Sequence, residues 1–260
     1  MVSPEGFALR VLVNIMRSIK ILAAIEGLLF GIALFYFMLD RNGGPEGLNS
    51  IKTYSEVSDK YEYYEDEDEW INPEVELLAS AYEDFVGFLT VEGTSISYPV
   101  MRDRYNSEGN YYYLTHNYKG EDDRSGCPFI PRSSDLSDDL VTVFAHNNSN
   151  GTMFADLSKF DDETFFNEYG RITLDTVNGR MEYEVTSVLD VSVDGGEFTY
   201  FGWSNFINDD SERDFINQVF SLAKISCEET IEPGNQYLLL VTCEYSHING
   251  RRIVVALRCS

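Results

Sequence analysis

Apolar and polar positions alternate along most of the chain beyond residue 85, and that period predicts strands. Runs rich in Val, Ile, Tyr and Phe fall at 86–91, 96–101, 111–115, 127–130, 140–145, 171–176, 181–193, 236–243 and 252–258, parted by Gly, Asn and Asp. Asn178-Gly179, between two of these runs, predicts a hairpin turn. In the last run Ile253, Val255 and Leu257 share one parity, and Arg252, Val254, Ala256 and Arg258 the other. The bulky set is expected to enter the core and Arg252 to face outward, where a groove can lie. Two segments have a helical period instead. Asn72 is a good N-cap, Pro73 suits the first helical position, and Val75, Leu78, Tyr82 and Phe85 form a stripe, so a helix is expected from Pro73 to about Phe85. A second helix is expected near 209–223, where Phe215, Val219 and Leu222 share a face. Many short strands with few helices predict a mainly β domain, closed as a barrel or stacked as a sandwich.

The N-terminal pattern is different. Ile21–Leu39 is apolar except for Glu26, and at about 1.5 Å per residue it reaches roughly 28 Å, close to a bilayer core. Arg10, Arg17 and Lys20 precede it, which places residues 1–20 in the cytoplasm and everything after the span outside. With no small-residue cleavage site in view, the segment reads as a retained anchor in preference to a removed signal peptide. Residues 40–71 are polar and acidic, densest at Tyr61–Glu69, and read as a solvated tether. The expected domains are therefore 1–20, a transmembrane anchor at 21–39, the tether at 40–71 and a folded domain at 72–260.

Charge narrows the partners. With 19 Lys and Arg against 44 Asp and Glu, the formal net charge is -25. Nucleic acid is excluded as a natural partner, because phosphate binding needs clustered cations. An anionic cell wall would also repel the chain, so an anchor, and not charge, must hold it at a surface.

The chemistry concentrates near the C-terminus. Leu238–Cys243 and Arg252–Arg258 are two strand-like runs joined by a short polar link. If they pair, a thiol and a guanidinium face one groove, which suits a thiolate nucleophile that must also stabilise an oxyanion. His146 ends another strand-like run, Val141–Ala145. A strand-end Cys by itself is more often a buried hydrophobe, and an exposed Arg a solvated charge; the combination is what points to catalysis. Arg251 competes with Arg252 for the cationic role. Cys127, Cys227 and Cys259 have no such context, and four cysteines in an exported chain are also compatible with disulfides. No paired His and Cys spacing predicts a metal, and no Gly-x-Ser-x-Gly elbow or phosphate-binding Gly loop is present, so no cofactor is expected. Two glycosylation sequons, at Asn147 and Asn150, directly follow His146, and a glycan there would crowd the site.

Several blocks, in order, resemble class B sortases. These are Phe85–Val100; Tyr112–Tyr118 followed by Gly126–Phe129; Phe144-Ala-His-Asn147 followed by Gly151–Leu157; and Leu239-Leu-Val-Thr-Cys243, where Leu239 replaces the first Thr of the family's Thr-Leu-x-Thr-Cys signature. The resemblance covers about 72–258 and is poor over 181–207. It implies a closed eight-stranded β-barrel with a preceding helix, one inserted helix and the N-terminal transmembrane helix. It also implies a membrane-anchored cysteine transpeptidase, extracellular and single-pass, that cleaves a C-terminal sorting signal after Thr through a thioester and joins the secreted protein to a peptidoglycan precursor amine. Pilin polymerisation, or hydrolysis with water as acceptor, are the alternatives. On this resemblance Cys243 is the nucleophile, His146 the acid and base, and Arg252 the oxyanion or substrate cation. Asn117 or His116, with Thr242, line the groove.

Overall fold

A computed structural model describes residues 73–105, 111–194, 196–200, 203–246 and 249–259. The expected anchor at 21–39 and tether at 40–71 lie outside these residues. Among the described residues nine strands form: β1 (Phe85–Val91), β2 (Ser97–Asp103), β3 (Phe129–Pro131), β4 (Leu140–Phe144), β5 (Arg171–Thr176), β6 (Gly179–Ser192), β7 (Ala223–Ser226), β8 (Tyr237–Glu244) and β9 (Gly250–Arg258). Their order is β5-β1-β2-β3-β4-β8-β9-β6-β7, and β5 also pairs with β6. That extra pairing closes eight strands into a barrel and leaves β7 as a short flap on β6. Closure removes the free edges that an open sheet would expose. The length of β6 makes it possible: residues 179–184 pair with β5, and 183–192 pair with β9.

Both faces of the C-terminal strands are buried, each by a different partner. Among the described residues three α-helices accompany the barrel: α1 (Pro73–Ala81), α2 (Glu163–Glu168) and α3 (Asp209–Leu222). Phe215, Ile216 and Val219 of α3, with Phe198 and Tyr200, pack on Leu189, Val191, Leu239, Val241, Ile253 and Val255. Val188, Leu238, Leu240 and Val254 have the opposite parity and no exposure, filling the barrel as side chains do in rings of this size. The expectation for the last strand is therefore corrected: Ile253 and Val255 lie under α3, and Val254 and Ala256 point inward.

Local chemistry fixes α3 on that face. Asn208 accepts from Ser211 N–H, and the Ser211 hydroxyl receives the Asn208 N–H, a reciprocal cap. Asp209, Asp210 and Glu212 sit in the first turn, where the helix dipole favours anions. Glu212 is buried and accepts from Gly234 N–H (2.8 Å), Asn235 N–H (3.1 Å) and Tyr237 O–H (2.9 Å), tying the helix to the start of β8. Burial raises the Tyr237 pKa, and the Glu212 carboxylate that its hydroxyl bonds raises it further.

Elsewhere the expected elements shift. α1 stops at Ala81, because Phe85 already opens β1 opposite Met101. The expected strand at 111–115 is a 3-10 turn at Tyr112–Leu114. Its start is pinned by buried Asp103, whose carboxylate accepts from Tyr105 N–H (3.1 Å) and Tyr112 N–H (2.8 Å). The hairpin expected at Asn178-Gly179 forms with Thr176 opposite Gly179, so its loop is Val177-Asn178.

Candidate active site

Strand register alone assembles the site. β4 runs parallel to β8 with Phe144 opposite Val241, and Ala145 N–H continues the ladder to Val241 O at 3.2 Å. Continuing that register puts His146 opposite Cys243. β8 runs antiparallel to β9, with Cys243 opposite Arg251. Opposed residues on neighbouring strands, about 4.8 Å apart, point to the same side. His146, Cys243 and Arg251 thus form a row across β4, β8 and β9, and all three side chains are half-buried. Two residues away on the same face, before His146 and Cys243 and after Arg251, lie Phe144, Val241 and Ile253, members of the apolar cluster under α3. The row sits where that cluster ends, with an apolar floor on one side and solvent on the other.

Neighbouring groups hold the row. His146 Nε2 lies 2.8 Å from Leu114 O, and a carbonyl only accepts, so Nε2 carries the proton. This leaves Nδ1 to exchange one. Arg251 donates to Gly250 O at 2.8 Å. Asn147 Nδ2 donates to Cys243 O at 2.9 Å, and Tyr245 O–H donates to Asn147 O at 3.0 Å.

Arg252, expected in the site, is elsewhere. It pairs with Thr242 and Asp190 in register, on the opposite face from Cys243. It is 7% exposed and donates to both oxygens of Asp190 (2.8 and 2.7 Å) and to Asp161 (3.0 Å). Lys224 joins this cluster at 3.0 Å from Asp161 and 3.5 Å from Asp190. Burial lowers the Arg252 pKa, but its two carboxylate partners outweigh this and raise it. The outward parity expected of Arg252 is reversed. Arg252 is buried instead, and Asp190 makes this possible. Thr242 shares that inward parity: it is 2% exposed and its hydroxyl donates to Ala145 O (2.8 Å), so it does not line a groove.

His116 and Asn117 stabilise their own turn. The His116 ring stacks on Tyr112 at 3.7 Å, and its Nε2 lies 3.2 Å from Asp122. Asn117 Oδ1 accepts from Lys119 N–H and Glu121 N–H, and its amide donates to the Glu121 carboxylate. The same turn supplies Leu114 O to His146, a contact that sequence reasoning missed because a carbonyl leaves no residue signature.

A sequence model of the Sortase domain matches residues 89–259, well over half of the chain. The chain is a sortase. The sortase B of Listeria monocytogenes is 27% identical over 188 residues, spanning 71% of this chain and 73% of that protein. The structure of Clostridium perfringens sortase B superposes with a TM-score of 0.64 at 28% identity, covering 71% of this chain and 99% of that one. A Staphylococcus aureus sortase B–substrate complex shares the fold with a TM-score of 0.67 at 22% identity, covering 86% of this chain and 99% of that one. This sortase is therefore of class B kind, a cysteine transpeptidase on the expected eight-stranded barrel.

All four cysteines are free thiols. Cys127 is buried, donates to Pro99 O at 3.3 Å, and has its pKa pushed well up by desolvation and by Asp123. Partial burial raises Cys259 too, helped by Glu184 and Glu182. Neither environment favours a thiolate.

Proposed function

We propose that Cys243, His146 and Arg251 carry the transpeptidation, with Arg251 in the role first expected of Arg252. The observation that supports this is the row itself: one cation and one imidazole flank the thiol on the two neighbouring strands. The Cys243 thiolate attacks the carbonyl of the Thr in a sorting signal. Arg251 stabilises the oxyanion as it forms. His146, which took the Cys243 thiol proton at Nδ1 when the thiolate formed, gives that proton to the departing amine as the amide C–N bond breaks, and a thioester remains on Cys243. An incoming amine loses its proton to His146, attacks the thioester carbonyl and releases the thiolate, so that one amide bond is exchanged for another.

The substrate is a secreted protein with a C-terminal sorting signal of the Asn-Pro-x-Thr-x kind, and the acceptor is an amine of a peptidoglycan precursor. A structure of a related sortase B holding its substrate supports a peptide donor. Residues 21–39 anchor the enzyme, with the catalytic domain outside the cell; the apolar run and the cations before it support this topology. The test is product analysis of a fluorogenic Asn-Pro-x-Thr-x peptide with and without an added amine. Wild type should give the amine adduct and Cys243→Ala neither adduct nor cleavage. Hydrolysis alone at saturating amine would point to a peptidase instead.

A further inference from the structure

We propose that Asn147 is a positioning residue that holds the nucleophile in register with the histidine, and that Tyr245 completes the same clasp. The inference rests on the roles proposed above for Cys243 and His146. Rungs of a parallel ladder recur at every second residue. On this side of the β4–β8 pair one rung is Ala145 N–H to Val241 O, and the next in a regular ladder would be Asn147 N–H to Cys243 O. The chain departs from regularity at that point. That backbone rung is not formed, while the opposite edge of the segment is held separately: Asn147 pairs with Met153 in an isolated antiparallel bridge, in which Phe154 N–H donates to His146 O at 2.8 Å. Met153, at φ 58°, turns the loop back. The segment bearing His146 therefore leaves β8 at the residue where the chemistry needs it held.

Asn147 restores the missing rung with its side chain. Nδ2 reaches Cys243 O at 2.9 Å, and its own carbonyl accepts from Tyr245 O–H at 3.0 Å. One residue thus holds the nucleophile and the segment just beyond it. The Tyr245 residue is 75% exposed while its hydroxyl is tied down, the arrangement of a strap across the end of β8 and not of a core side chain. The position demands a donor: an Asp of the same shape would set a carboxylate against a carbonyl oxygen. The sequon at Asn147 takes on meaning here, because a glycan would occupy Nδ2, the atom that makes the rung. Losing the clasp displaces Cys243 from His146 without touching the substrate, so the effect falls on kcat. A misplacement of about 1 Å is enough to cost on the order of 10²-fold.

The experiment compares full-length wild type, Asn147→Ala, Asn147→Asp and Tyr245→Phe in detergent, with steady-state cleavage of a fluorogenic Asn-Pro-x-Thr-x peptide and thermal melts. Asn147→Ala and Asn147→Asp should lower kcat by about 30–100-fold with KM within about threefold. Tyr245→Phe, which removes only the strap's hydroxyl, should lower kcat by about 3–10-fold with KM and melting unchanged. Asn147→Asp retains shape and loses the donor, so near-normal kcat in that variant would overturn the inference, as would a loss confined to KM. If the Asn147 variants fail to fold, Tyr245→Phe decides, and unchanged kcat there overturns the proposal. A folded wild type that cleaves nothing would overturn the assignment of Cys243 and this inference with it, whereas an active wild type matched by its variants overturns this inference alone.

Discussion

Replacing Arg251 and Arg252 by alanine, one at a time, separates chemistry from structure at adjacent positions. Arg252 is 7% exposed, and its removal strands the Asp190 carboxylate, whose side chain is 12% exposed. Breaking a buried pair by deleting one partner costs about 3–5 kcal/mol. Lys224 remains near both Asp161 and Asp190 and offsets part of the loss, so about 2–3 kcal/mol is expected. At about 2–4 °C per kcal/mol for a domain of this size, Tm should fall by about 4–12 °C. Arg251 is half-buried and bonds to the carbonyl of the residue before it, so its loss should cost less than about 1 kcal/mol. If Arg251 holds the oxyanion, kcat/KM should fall by about 10²–10³. The assays are circular dichroism melts and initial rates on the fluorogenic peptide, with rates taken well below each variant's Tm. An Arg252→Ala enzyme that melts normally and is inactive, beside an active Arg251→Ala enzyme, would refute the register argument.

Three further outcomes are expected. Iodoacetamide at mildly alkaline pH should label Cys243 well before Cys127, since burial raises the Cys127 pKa and leaves little thiolate; peptide mass mapping would show the reverse order if the site were misassigned. Glu212→Ala should lower stability by about 3 kcal/mol in urea melts, because two backbone N–H groups and the Tyr237 hydroxyl lose their acceptor, and a change under about 0.5 kcal/mol would contradict the anchoring of α3. Residues 72–260 expressed alone should be a soluble monomer by size exclusion; aggregation cured only by restoring the N-terminal segment would contradict the proposed division of the chain.

The strands were legible because turn residues separate them and bound their length, and the helix at 209–223 because its stripe is unbroken; closure into a barrel came only from the resemblance to sortases, since the pattern alone fits a sandwich equally. What sequence could not supply was parity in β9. Ile253-Val-Val-Ala-Leu257 is a continuous apolar run, as a strand buried on both faces must be, so alternation carries no information there. The register is instead set by partners distant in sequence, Asp190 on β6 and Cys243 on β8, and those partners put Arg252 inside and Arg251 beside the thiol. α2 and β7 were missed because each is too short to establish a period. Cys243 and His146 were identifiable as strand-end residues with chemistry; Asn147 was visible within the same block, but its role depends on where β4 leaves β8.

The most direct test of the account is to trap the acyl-enzyme. Full-length protein mixed with an Asn-Pro-x-Thr-x peptide and no amine should, on rapid quench and intact-mass analysis, carry the mass of the N-terminal peptide fragment, mapped to Cys243 and released by hydroxylamine. Adding triglycine before the quench should discharge that adduct into a peptide–triglycine product. Cleavage with no adduct on Cys243, or an adduct on another residue, would contradict the account.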